Sequence, residues 1–176
     1  ASRWHLFSRW VPKMFGGHGM DFLTLYPFLE EISSVCTGLA NVIGVHYLGV
    51  GTLCSTWNSP LMVKILGEVC RGDRRGEPCL ISLAITEPEA GTDVEEPALL
   101  EKARIGTTAR RVEGGYLLNG RKIFISNGHV SAWHMVIAYE DARNPVETTV
   151  MAAVRTGSAG FSFGRHEKKM GQKICV

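Results

Sequence analysis

The residues Thr86-Glu87-Pro88-Glu89-Ala90-Gly91-Thr92-Asp93 set hydroxyls, a glycine and acids directly behind the apolar run 79–85. A strand that ends in such a turn offers backbone N–H groups and short hydroxyls to a polar ligand, while the same residues also serve simply to close a strand. A second stretch, Leu117-Leu118-Asn119-Gly120-Arg121-Lys122-Ile123-Phe124-Ile125-Ser126-Asn127-Gly128, alternates so that Ile123 and Ile125 share one face and Phe124 and Ser126 the other. By itself it reads as an amphipathic strand. A third, Lys168-Lys169-Met170-Gly171-Gln172, lies near the end of the chain.

The order and spacing of these three stretches resemble the middle domain of the acyl-CoA dehydrogenase flavoproteins. Upstream, Val11-Pro12-Lys13-Met14-Phe15-Gly16-Gly17-His18-Gly19-Met20-Asp21 followed by Leu29-Glu30-Glu31-Ile32 is similar to that family's entry into the later helices of its N-terminal domain. The resemblance implies FAD as cofactor, an acyl-CoA thioester as substrate and α,β-dehydrogenation as the reaction. It also implies an electron-transfer flavoprotein as acceptor and a homodimer or homotetramer as the assembly.

By the family pattern, Leu83, Ile85, Thr86, Gly91 and Thr92 would build the polar edge for the flavin, with Thr86 placing a hydroxyl against the ring and Ile85 contributing a backbone N–H. Thr92, where the family often has Ser, would bond cofactor phosphate or the pantetheine arm of the substrate. Phe124 would cover the ring face away from substrate, with Ile125 beside it, and Ser126 would reach the reacting edge of the flavin. The family's catalytic Glu is expected outside this chain, in a C-terminal helical bundle absent from it. Glu87 and Asp93 are explained by turn geometry, and Glu30-Glu31 by a solvated or intersubunit helix face. The alternatives are a truncated, non-catalytic flavin or acyl-thioester binding module or scaffold, and a flavin oxidase or hydroxylase of the same superfamily.

The elements that would hold these residues follow from the change of hydrophobic period. Leu25, Phe28, Leu29, Ile32 and Val35 form a helical stripe over residues 20–35. Between Glu31 and Lys64 no Asp, Glu, Lys or Arg occurs, yet Asn41, His46 and several glycines and hydroxyls interrupt the run. It reads as a buried helix with small residues along it, not as the roughly 20 predominantly apolar residues of a membrane span. His46 on that helix reads as a core histidine. Arg71-Gly72-Asp73-Arg74-Arg75-Gly76 reads as a linker between a partial helical N-terminal domain, 1–76, and a partial β middle domain, 77–176. Strands are expected at 79–86, 103–112, 116–126, 133–139, 149–155 and 161–165. Residues 95–104, longer than the usual family connection, are compatible with a short helix carrying Pro97 in its first turn.

The expected fold class is α+β: a helical N-terminal part followed by an antiparallel, barrel-like β domain. At 176 residues and 45% hydrophobic content the chain can build a core. A net charge of +2 spread over isolated pairs such as Arg110-Arg111 argues against nucleic-acid binding. Cys36, Cys54, Cys70, Cys79 and Cys175 are odd in number and lack paired short spacing, which indicates reduced thiols, with neither a disulfide framework nor a zinc site. Gly16-Gly17-His18-Gly19 is not a dinucleotide fingerprint, and His129 and His134 show no ligand spacing. The cytoplasm or a mitochondrial matrix is the expected compartment. The absence of an initiator Met suggests residues upstream.

Overall fold

The computed structural model describes residues 4–172. Three helices come first: α1 (Phe22–Val35), α2 (Thr37–Ser55) and α3 (Ser59–Arg75). Asp21 caps α1 by accepting the N–H of Thr24 at 2.9 Å, and Asn58 caps α3 by accepting that of Leu61 at 3.2 Å. Pro27 lies inside α1, where it withdraws an N–H from the Leu23 carbonyl. Leu23 is largely exposed, so water can take that bond. The charged stretch read as a linker is instead the last turn of α3: the helix runs to Arg75 and stops at Gly76 in the left-handed region, φ 77°. Asp73 in that turn points inward, accepting the N–H groups of Phe7 (3.2 Å) and Ser8 (2.8 Å) and the Ser8 hydroxyl (2.7 Å). This buried carboxylate ties the N-terminal segment to α3.

The strands are β1 (Ile81–Ala84), β2 (Thr108–Val112), β3 (Gly115–Asn119), β4 (Trp133–Tyr139) and β5 (Thr149–Arg155), with short helices α4 (Pro97–Leu100) and α5 (Pro145–Thr148) between them. β4 is the central strand. It pairs antiparallel with the whole of β5 on one edge, from Trp133 opposite Arg155 to Tyr139 opposite Thr149. On its other edge it pairs parallel with β1, Ile81 opposite Trp133, and then meets β2 at Thr108 opposite Tyr139. β2 and β3 form an antiparallel hairpin. The expectation of an antiparallel barrel therefore needs correction: the sheet is mixed, and among the described residues it stays open.

Apart from shortened ends, of which 103–107 before β2 is the longest, two expected strand segments are not strands. Residues 120–126 leave the sheet after Asn119, and 161–165 run without regular structure. The first bends because Phe124 and Asn127 adopt positive φ, 55° and 61°, which a continuing strand excludes. In the second, the aromatics stack on histidines instead of pairing: Phe161 lies over His134 with ring centroids 4.9 Å apart, and Phe163 over His129 at 4.9 Å.

The period-two alternation of β4 places Trp133 and Met135 against the helices. There they join Val50, Leu53, Ile65, Leu66, Val69 and Ile81 in a common core. Burying each such side chain contributes about 1.5–3 kcal/mol. α2 has the length and composition of a membrane span, but it is a core helix here, burying Ile43, His46, Tyr47, Gly49, Val50 and Leu53. Gly49 permits its contact with the sheet: a Cβ there would stand 2.6 Å from Ile81 Cγ2 and 2.8 Å from Ile81 Cβ. His46, fully buried, accepts the N–H of Ile81 on Nδ1 at 3.0 Å, which leaves the proton on Nε2 to donate to the Phe7 carbonyl at 2.9 Å. Cys36, Cys54, Cys70 and Cys79 are free thiols, and Cys175 lies outside the described residues. Burial pushes the Cys79 thiol up to about 11.

Candidate functional site

The octet begins where β1 ends. A tight turn closes it, with the N–H of Glu87 donating to the Ala90 carbonyl at 2.8 Å, and the Asp93 carboxylate accepts the N–H of Gly91 at 2.6 Å. Residues Thr92–Val94 then form one 3-10 turn. Ile85, Ala90 and Val94 anchor the loop by packing into a second apolar cluster with Ala103, Ile105 and Tyr139. Leu83 turns the other way, against the helical core. Thr86 is half-buried and Thr92 exposed. At Gly91 a Cβ would meet nothing within 4 Å, so this backbone faces open space.

Segment 121–126 lies directly alongside the loop. The N–H of Ile123 donates to the Thr86 carbonyl at 2.9 Å, and the Lys122 ammonium donates to the Ile85 carbonyl at 2.9 Å. Further on, Asn127 is fully buried and donates its side-chain amide to the Val42 carbonyl of α2 at 2.8 Å. The segment is thus held between the octet and α2, and its bend leaves Phe124 67% exposed while Ile125 and Ser126 are half-buried. Thr86, Phe124, Ile125 and Ser126 come together on two bonded segments. Thr92 opens the 3-10 turn that precedes α4. The third stretch reaches α2: the Asn41 side-chain amide donates to the Gln172 carbonyl oxygen.

Beneath this junction lies a charged pair that the spacing of residues did not reveal. Lys122 Nζ is 2.7 Å from Glu87 Oε1, with both side chains almost wholly buried. Glu87 also accepts the N–H groups of Gly106 and, at 3.1 Å, Thr107. Burial raises the Glu87 carboxyl, but the bonds from Lys122, Thr107 and Gly106 together outweigh it and hold the group below its usual range. Burial lowers the Lys122 ammonium, with Glu87 opposing. Turn geometry alone therefore does not account for Glu87. In the sequence, Lys122 sits beside Arg121 at a hairpin end and looks like a solvated charge; only its following apolar run hinted at burial.

His134 and His129 are held by contacts within the fold. His134 Nε2 donates to the Thr156 hydroxyl at 2.8 Å, because that hydroxyl gives its own proton to the Ser131 carbonyl at 2.7 Å. Its Nδ1 accepts from the Ser82 hydroxyl at 2.7 Å. Burial lowers His134 to about 4. His129 stacks on Phe163 and His166. Glu30 and Glu31 are exposed on α1. Residues 95–104 include the four-residue α4, with Pro97 in its first turn as expected.

Comparison with known proteins places this arrangement. The model of the acyl-CoA dehydrogenase middle domain matches residues 82–175, which include both segments of the site. A cyclohex-1-ene-1-carbonyl-CoA dehydrogenase from Syntrophus aciditrophicus is 33% identical over 174 residues, covering 97% of this chain and 38% of the relative. A 3-(aryl)acrylate reductase from Clostridium sporogenes is 31% identical over 173 residues, covering 94% of this chain and 41% of the relative. The crystal structure of an acyl-CoA dehydrogenase from Geobacillus kaustophilus superposes with a TM-score of 0.80 at 27% identity, covering 98% of this chain and 42% of that one. This chain therefore spans about two-fifths of the length of the proteins it matches. The match over more than half of its residues makes the chain a member of the acyl-CoA dehydrogenase family.

Proposed function

We propose that the chain is the flavin-holding part of an FAD-dependent acyl-CoA dehydrogenase. The observation that carries this reading is the bond from Ile123 N–H to the Thr86 carbonyl, which sets the octet beside segment 121–126. The donor set there suits a flavin. Among the described residues the hydroxyls of Thr86, Thr92 and Ser126 make no hydrogen bond, so each is free to serve a ligand. Gly91 adds an open backbone and Phe124 an exposed aromatic face.

In this reading, residues 1–76 belong to the helical N-terminal domain and 77–176 to the middle domain. When bound, FAD accepts two electrons in α,β-dehydrogenation of an acyl-CoA thioester. Thr86 and the Ile85 backbone orient its ring edge, with Leu83 setting the strand below. Phe124, backed by Ile125, covers one face and excludes water. The Ser126 hydroxyl donates toward negative charge that grows during the reaction, which accelerates chemistry where the bond is stronger in the transition state. Gly91 allows close approach, and Thr92 binds cofactor phosphate or the pantetheine arm. The α-proton is taken by a carboxylate outside these 176 residues, consistent with the burial and pairing of Glu87. The acceptor is an electron-transfer flavoprotein, the assembly a homodimer or homotetramer, and the compartment the cytoplasm or a mitochondrial matrix.

The test is anaerobic addition of a panel of acyl-CoA thioesters to the purified full-length protein. Bound yellow flavin that bleaches with one of them supports the reading. Flavin that binds but never bleaches indicates a binding module, and bleaching followed by rapid reoxidation in air with peroxide release indicates an oxidase. Absence of flavin after expression and after FAD titration rejects the proposal.

A further inference from the structure

Glu87 and Lys122 are buried to the point that their side chains retain only 4% and 10% of their exposure. An ion pair this deep adds little to stability, because apolar residues of similar volume commonly do as well. Its loss on one side, however, leaves an uncompensated buried charge. Such a pair is therefore suited to holding neighbouring segments in one register.

Its bonds run to the parts of the chain that form the site. Lys122 reaches back to the Ile85 carbonyl, one residue before Thr86, while the next backbone N–H, that of Ile123, takes the Thr86 carbonyl. Glu87, one residue after Thr86, holds the N–H groups of Gly106 and Thr107 that lead into β2. Thr86 is thus flanked on both sides by residues fixed to Lys122. Phe124 and Ser126 follow Lys122 by two and four residues, and their positions depend on where it is anchored.

We infer that Glu87 and Lys122 are positioning residues for the flavin edge, locking Thr86 and the segment bearing Phe124 and Ser126 in the relative placement the cofactor requires. The inference rests on the proposed function above. Both charged groups are engaged by each other and by the backbone at Ile85, Gly106 and Thr107, so they act through the segments they join.

The experiment uses the full-length protein stripped of flavin and titrated with FAD. Glu87→Gln and Lys122→Met are each expected to weaken FAD binding by about tenfold or more, since small misplacements of binding groups carry costs of that order. They are also expected to change the absorption and fluorescence of the flavin that binds. Lys122→Arg, which keeps charge and donors, should recover most of the affinity. Leu53→Ala, in the helical core, is the control for lost stability alone and should lower the melting temperature with an unchanged dissociation constant and spectrum. If a single variant does not fold, Glu87→Gln combined with Lys122→Met, which removes both charges, is judged by the same two readouts. Wild-type affinity and spectrum in folded variants would overturn the inference and leave the proposed function standing. A wild-type protein that binds no FAD removes both.

Discussion

His46 Nδ1 accepts the backbone N–H of Ile81 at 3.0 Å, joining the middle of α2 to the first residue of β1 inside the core. An N–H cannot accept, so this bond requires the neutral ring. Burial accordingly lowers His46 from 6.5 to about 4, against smaller opposing contributions from the Phe7 carbonyl and Asp73.

The pH dependence of stability follows from that shift. The folded-state value lies below the unfolded one, so the unfolded chain binds more protons between them and stability falls as pH falls through that window. The His46 contribution is complete above about pH 6.5 and lost toward pH 4, a change on the order of 3 kcal/mol. His134 shifts the same way. Urea unfolding between pH 7 and pH 4.5 should show this decline, and His46→Gln should flatten the curve. An equal slope in wild type and variant would rule out His46 as its source.

A second prediction concerns Trp133, which joins α3 to the sheet. Its indole N–H donates to Glu68 at 2.9 Å, and Lys64 and Arg155 each lie 5.2 Å from its ring. Glu68 also pairs with Arg155, but Arg155 is more than half exposed, so that ion pair contributes little. Trp133→Phe should therefore cost about 2 kcal/mol through the lost bond and the space left behind. Arg155→Gln should cost less than about 1 kcal/mol. Equal losses in chemical denaturation would show that the indole is not the principal link.

These dependencies also show how far the sequence was legible. β4 and β5 could be read to the residue, because runs of aromatic and β-branched side chains between turn residues leave a strand little alternative. His46 was legible as a core histidine from the apolar helix around it. Asp73 was not: its neighbours Arg71, Arg74 and Arg75 are exposed or half-exposed, so the run looked solvated although one member bonds Phe7 and Ser8 across the fold. Residues 120–126 failed for a similar reason. Their alternation suits a strand, but the Ile123 N–H is taken by Thr86, far away in sequence, and the chain bends at Phe124. The two stretches proposed as the site were picked out by their motifs, and they lie side by side through the Ile123–Thr86 bond. The Glu87–Lys122 pair beneath them, formed by long-range packing, was not legible.

Phe124 supplies a third prediction. It holds a left-handed backbone, φ 55°, while its ring is 67% exposed. That conformation costs a side-chain-bearing residue about 1–2 kcal/mol, and an exposed ring recovers little of it by packing. Phe124→Gly should thus leave the flavin-free protein as stable as wild type or more stable by up to about 1 kcal/mol. The same variant should bind FAD about tenfold more weakly or worse, as expected when an aromatic cover is lost. Thermal unfolding without flavin and FAD titration measure the two effects separately. A clear loss of stability in the flavin-free variant would instead assign Phe124 to the fold.

Ser126 allows binding and chemistry to be separated. Its hydroxyl makes no hydrogen bond among the described residues, so Ser126→Ala should change flavin-free stability by less than about 0.5 kcal/mol. If the hydroxyl serves the reacting edge of a flavin, its value lies in the charge that develops during the reaction. Removing one such donor typically costs about 100-fold or more in rate. The expected outcome in the full-length protein is wild-type melting, nearly wild-type FAD affinity and a strongly reduced rate of flavin bleaching by acyl-CoA in stopped flow. Ser126→Thr, which keeps the hydroxyl, should recover much of that rate. A reduced affinity with an unchanged bleaching rate would mean that Ser126 holds the ring without assisting the transfer. An unchanged rate and affinity would remove it from the site.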